Sequence, residues 1–236
     1  PKLGNTTLTA FGMTKKSGRS AQNDPGLSAI LNSNTPAVCL VGKSWDFHVD
    51  KALGISKEEN LDNIKESAKL FIKNKKEFMF DAEHFFDGYK NNPEYAMNCI
   101  KTAYEEGARW IVLCDTNGGT LPNEVGEIVQ KVSKSIPGKN LGIHAHNDTE
   151  NAVANSLTAV LSGVRQIQGT INGLGERCGN ANLISLIPSL ILKNSFSKKF
   201  EINIDKEKIK TLTECSRLLD EILNKKSNRH SPYVGA

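Results

Sequence analysis

Six short apolar runs punctuate the chain, at residues 7–12, 37–42, 77–81, 110–115, 141–146 and 164–171, and a stretch of helical periodicity follows each. The runs are too short for helices, and their starts lie roughly 25 to 40 residues apart, the size of a strand-plus-helix unit. Ala37-Val38-Cys39-Leu40-Val41 and Trp110-Ile111-Val112-Leu113 are apolar without interruption. Strands of that kind are buried on both faces, as in a parallel sheet. The stretches between them carry helix signals. Ser56 followed by Glu59 predicts a capping box. Asn92-Pro93 and Leu121-Pro122 each predict a helix start, and Gly107 and Gly163 stand where a helix ends. A last helical stretch, about 205–224, follows a polar connector at 194–199 and is expected to lie outside the sheet.

Six strands in strict strand-then-helix order allow either a doubly wound sheet or most of a (β/α)8 barrel. The polar residues decide between them. Gly42-Lys43-Ser44-Trp45-Asp46, Asp81-Ala82-Glu83-His84, Asp115-Thr116-Asn117-Gly118, His144-Ala145-His146-Asn147-Asp148 and Asn172 to Arg177 all fall at the C-terminal ends of runs. Clusters on five successive strand ends meet at one centre only if the sheet closes into a ring. A doubly wound fold gathers its site at one crevice, and no G-x-G-x-x-G loop is present. The prediction is an α/β protein: an incomplete (β/α)8 TIM barrel of about six units with a C-terminal helical appendage. Residues 1–193 would form the partial barrel, and 194–236 a linker and the start of a helical subdomain. The chain opens at Pro1 without a methionine and stops at Ala236, just after Pro232-Tyr233-Val234, so the expectation is a fragment lacking both ends.

Composition narrows the function classes. At 38% hydrophobic and 24% charged residues, the chain is an ordinary globular one. Its net charge of +4 comes from interleaved lysines and acids. There is no basic stripe, so no nucleic-acid partner is expected. Cys39, Cys99, Cys114, Cys178 and Cys215 form no C-x-x-C pair, which fits reduced thiols and a cytoplasmic location. No apolar run approaches the roughly 18 residues of a membrane span, and no signal peptide opens the chain, so no membrane partner is expected.

Two stretches carry the chemistry. On a strand alternate side chains share a face, so His144 and His146 point the same way, offering two adjacent ligand positions for a divalent metal. Taken alone, the pattern is more often two partly exposed histidines hydrogen-bonded near a strand end. The second stretch is Gly169 to Asn182, with four glycines that permit tight turns and close approach of backbone to a ligand. Within it, Asn180 offers a neutral oxygen that can join two imidazoles on a hard-to-borderline cation. The two stretches together favour a metal site over either alone.

His144-Ala145-His146-Asn147-Asp148 and Asn172-Gly173-Leu174-Gly175-Glu176-Arg177-Cys178-Gly179-Asn180 resemble the family of 2-isopropylmalate, homocitrate and citramalate synthases. The blocks Gly42 to Val49, Asp81 to Tyr89 and Cys114 to Gly119 are most similar to the citramalate branch. The resemblance runs over essentially the whole chain. It implies a metal-dependent acyltransferase on a TIM barrel that condenses acetyl-CoA with a 2-oxo acid, pyruvate first, for branched-chain amino-acid (isoleucine) biosynthesis. It implies His144 and His146 as metal ligands, with Asn180 a weaker third ligand or a residue just behind them. It also implies Glu83 as the active-site acid, Thr116 as the hydroxyl holding the 2-oxo acid carboxylate, and His48 beside the substrate. The metal could be Mg, Mn, Co or Zn, and the full-length protein is expected to be a homodimer. The family's opening Arg-Asp pair and its C-terminal catalytic histidine have no counterpart here.

Trp45, Phe85, Phe86 and Tyr89 are expected to pack loops, and Cys178 to be a small buried thiol. Three other readings remain open at this point: a 2-isopropylmalate synthase, a lyase or aldolase of the same superfamily, and a truncated barrel that binds metal without turnover.

Overall fold

The computed structural model describes residues 4–235, so the terminal Pro1 and Ala236 lie outside the described residues. Among the described residues, six strands form one parallel sheet in sequential order: β1 (Thr9–Met13), β2 (Ala37–Lys43), β3 (Glu77–Glu83), β4 (Trp110–Asp115), β5 (Leu141–Ala145) and β6 (Gln166–Gln168). Helices fill the connections: α1 (Pro25–Leu31), α2 (Asp46–His48, running on into a wide turn at Val49–Leu53), α3 (Lys57–Lys73), α4 (Phe85–Asn91), α5 (Pro93–Glu105), α6 (Pro122–Val132) and α7 (Ala152–Ser162). Beyond β6 come α8 (Leu183–Leu192), the single turn α9 (Asn194–Ser197) and α10 (Leu212–Ile222).

Alternation along the strands assigns their two faces. Val38, Leu40, Phe78, Phe80, Ala82, Ile111, Leu113, Leu141 and Ile143 pack into one core with Leu27, Ile64, Phe71, Ile100, Val125 and Val129 from the helices. The residues between them, Cys39, Asp81, Cys114, His144 and Gln168, therefore face the other way. Helices thus cover one face only, which a doubly wound sheet would not allow. The sheet also curls strongly. In a flat sheet β3 and β6 would lie about 14 Å apart, three strand spacings. Yet Gln168 Nε2 of β6 donates to Asp81 Oδ1 of β3 at 2.8 Å. The architecture is six units of a (β/α)8 barrel, with Cys39, Asp81, His144 and Gln168 turned to the inside.

Several boundaries differ from the sequence expectation for physical reasons. The expected strand at 164–171 shrinks to three residues, because Thr170 leaves the ladder: its N–H donates to Ala181 O and its carbonyl accepts from Leu183 N, both at 3.0 Å. His146 also leaves β5 and bridges Asn180 in antiparallel fashion. Only half of the expected capping box forms. Ser56 Oγ accepts from Glu59 N at 3.0 Å, but the Glu59 carboxylate is taken by the Ser17 hydroxyl. Residues 206–211 form a 3-10 turn rather than the start of an α-helix; an α-helix would stack Lys206 and Lys210 as like charges four apart. The polar connector at 194–199 contains α9, which buries Phe196. Phe85 and Phe86 are fully buried in α4 rather than packing a loop. The five cysteines are free; Cys178 and Cys215 are exposed, Cys178 at the tip of a turn closed by Gly179 N donating to Glu176 O, not buried as expected. No helix among the described residues is long and apolar enough to cross a membrane.

Candidate active site

The C-terminal strand ends carry two knots of polar side chains. The first joins the ends of β2, β3 and β4. Lys43 and Glu83 are register partners on neighbouring strands, so their side chains share the inner face, and they pair at 2.5 Å. Just beyond Glu83 the backbone turns left-handed at His84 (φ 57°), where its N–H donates to Thr116 Oγ1 at 2.9 Å. That bond uses Thr116 as an acceptor and leaves its own O–H to donate elsewhere. His48 meets His84 edge-on, with ring centroids 4.3 Å apart, and Trp45 stacks obliquely on His48 at 4.8 Å. Trp45 Nε1 and His48 Nδ1 are buried and have no partner among the described residues. Burial, then the adjacent His84 and Lys43, hold His48 below the usual histidine value.

The second knot joins β5 to the segment after β6. His144 and His146 lie on one face with ring centroids 5.1 Å apart. The Gly-rich segment is laced to this strand: Asn147 N donates to Gly179 O at 2.9 Å and Ala181 N to Ala145 O at 3.0 Å. Asn180 is thereby held against His146. Its Nδ2 donates to Leu174 O at 2.9 Å, which fixes the amide and leaves Oδ1 buried without a partner among the described residues. His146 Nδ1 is likewise buried and unpartnered, and burial, with His144 and Arg177 nearby, pushes His146 below the usual histidine value. Unpaired buried polar atoms are costly and uncommon.

Two imidazoles with an orphaned amide oxygen beside them suit a borderline divalent cation, so these residues fit a metal. Among the described residues no group of three or more His, Cys, Asp and Glu side chains gathers around one point. His144, His146 and Asn180, two imidazoles and one amide, are the candidate donors these strand ends bring together.

Arg177 ties the rims together. Its Nε and Nη2 donate to the two Asp148 oxygens at 2.7 and 3.0 Å, and Nη2 also donates to Thr116 O at 2.6 Å. The Arg177 guanidinium holds the Asp148 carboxyl below its usual range. The structure thus places Glu83, Thr116 and His48 in one knot and His144, His146 and Asn180 in the other. Lys43, Asp81, Asp148 and Arg177 stand in the polar strand-end clusters without an assigned role, and Gln168 is an addition to the residues singled out from sequence. Asp81 and Gln168 carried a signal: both are polar, in strands, at the parity of His144.

A family model described as HMGL-like matches residues 19–216. The (R)-citramalate synthase of Aquifex aeolicus is 52% identical over 231 residues, covering 98% of this chain and 43% of that protein. A 2-isopropylmalate synthase of Prochlorococcus marinus is 32% identical over 201 residues, covering 81% of this chain and 36% of that protein. Among solved structures, the HMG-CoA lyase of Bacillus subtilis superposes with a TM-score of 0.77 at 19% identity, over 97% of this chain and 74% of that one. This chain spans less than half the length of those two synthases.

Proposed function

The chain belongs to the HMGL-like family, and on that premise we propose that the whole protein is an acyltransferase condensing acetyl-CoA with pyruvate to give citramalate. The observation that carries the choice of substrate is the difference in identity between the two synthases, 52% over 98% of this chain against 32% over 81% of it. His144, His146 and Asn180 would hold a divalent cation, for which Mg, Mn, Co and Zn are all chemically admissible. When bound, such an ion supplies Lewis-acid polarisation of the keto group.

The remaining roles belong to this chain's own groups. Thr116, whose oxygen accepts from His84 N, keeps its O–H to donate to the carboxylate of a 2-oxo acid. Glu83, only partly exposed and paired with Lys43, can accept and return a proton or hold a water at the reacting carbon. His48, held toward its neutral form, would sit at the edge of the substrate space as a hydrogen-bonding wall. The protein would be cytoplasmic and homodimeric, and its partners small-molecule substrates rather than nucleic acid or membrane.

The test uses full-length protein with acetyl-CoA and equal pyruvate and 2-oxoisovalerate, following free thiol and both products. Citramalate should dominate. A clear preference for 2-oxoisovalerate would replace this reading with a 2-isopropylmalate synthase. Cleavage of 3-hydroxy-3-methylglutaryl-CoA without condensation would replace it with a lyase. His146→Ala should lose Mn2+ binding and turnover together while keeping the parental circular-dichroism spectrum.

A further inference from the structure

Two inward-facing side chains take no part in the reading above, and one of them stands where a polar group is costly. Asp81 is buried in the middle of β3, between Phe80 and Ala82. A carboxyl group there needs hydrogen-bond donors. Gln168 ends β6 and reaches across the concave face, with Nε2 donating to Asp81 Oδ1 at 2.8 Å and Oε1 lying 2.7 Å from His144 Nδ1. From β2, the Cys39 thiol lies beside Asp81 on the same inner face. Burial, then the neighbouring Asp81, push that thiol well up, so it stays protonated.

The roles in this chain of contacts fix one another. Asp81 Oδ1 is the acceptor of the Gln168 amide. Gln168 must then turn its NH2 to Asp81 and its carbonyl to His144. A carbonyl oxygen only accepts, so His144 Nδ1 carries the proton and Nε2 the lone pair. Neutral imidazole binds a metal through its unprotonated nitrogen, and the hydrogen bond at the other nitrogen selects which one that is.

We propose that Asp81 and Gln168 are positioning residues that hold His144 as its Nδ1–H tautomer, leaving Nε2 to bind the divalent cation. This rests on the reading of His144 as a metal ligand. The relay also joins β3 to β6 across the barrel interior, so the curl of the sheet itself sets the ligand's orientation. If the sheet flattened, Gln168 would lose Asp81 and could turn over, offering His144 its NH2 instead.

The full-length protein, 15N-labelled at histidine, tests this without turnover. In the metal-free protein His144 should show the ring shifts of the Nδ1–H form. Gln168→Met should turn that signal into a mixture of tautomers and weaken binding of Mn2+, titrated alone, by about 10- to 100-fold. Gln168→Asn is too short to reach both neighbours and should behave likewise, which covers the case of Q168M failing to fold. Asp81→Asn keeps an oxygen that can accept the Gln168 amide and should restore the parental tautomer and Mn2+ affinity, whereas Asp81→Leu should fall with Q168M. His146→Ala separates the two readings, since it removes a ligand but leaves the relay alone. Mn2+ affinity unchanged by H146A overturns the metal assignment, and the tautomer signals still decide the relay. A parental His144 tautomer in Q168M and Q168N overturns the relay whatever the metal does.

Discussion

His48 and Cys178 show what single residues in this chain disclose and what they conceal. Burial beside Trp45 and His84 holds His48 below the ordinary value of about 6.5. The unfolded chain therefore takes up this proton first as pH falls, so stability is full above about 6.5 and declines as pH falls from there to the folded value. The prediction is a midpoint of urea unfolding that drops between pH 7 and pH 5, with a shallower slope in His48→Gln. An identical slope in the variant would assign the effect to other groups. Lys43 yields a second prediction. Its pair with Glu83 is only partly exposed, so Lys43→Met should destabilise by about 1–2 kcal/mol, between exposed and buried cases, and should lower turnover of the full-length protein with it. Unchanged stability and turnover would remove Lys43 from the site. The sequence named His144 and His146 because two imidazoles two positions apart share a strand face, and Asn180 because it stands in the glycine-rich stretch 34 residues further on. It could not join Asp81 to Gln168, since that contact exists only once four strands, β3 to β6, have curled. Cys178 reads as a buried thiol from its apolar character, yet its exposure follows from the turn at Glu176–Gly179, a backbone event.

Elements were readable where one property serves both local structure and packing. The strands at 37–43, 77–83 and 110–115 announce themselves because their outward residues build the shared core with the helices. At β6 the local signal and the tertiary demand diverge. Apolar residues and glycine extend beyond Gln168, but Thr170 is recruited by Ala181 and Leu183 to shape the loop that carries Asn180. The loop after β4 offers a sharp test of how these rims are held. Gly118 has φ +62°, and a Cβ there would stand 2.6 Å from Asp148 Oδ2 and 2.8 Å from Asp148 N. Gly118→Ala would thus combine left-handed backbone strain with a push on the Asp148 that Arg177 grips. It should cost about 1–3 kcal/mol by urea denaturation and raise amide exchange at residues 146–149. Parental stability and exchange in this variant would show that the rim tolerates displacement of Asp148.

For the molecule as a whole, the sheet has two ends that hydrogen-bond to nothing further among the described strands. At one end β1 pairs only with β2, and its side chains at the edge are apolar: Phe11 is 65% exposed and Met13 54%. Both lie at the parity of Cys39, on the concave face. A cavity of about 750 Å³ opens beside them, lined also by Lys15, Lys16, Arg19 and Lys43. An edge strand with free backbone groups and large apolar side chains is a template for pairing with another chain. Nothing in β1 carries the usual protection, for Thr9 to Met13 contains neither a charge nor a proline. The 236-residue chain expressed as such should therefore associate in a concentration-dependent way, eluting ahead of its 25.8 kDa monomer mass on size exclusion. Phe11→Lys combined with Met13→Lys places charge on that edge and should shift elution toward monomer while the far-ultraviolet dichroism stays unchanged. A sharp monomer peak for the unsubstituted chain at high concentration would show that the β1 edge is protected by some means other than pairing. Association that persists undiminished in the double lysine variant would move the sticky surface elsewhere, with the β6 end next to be tested.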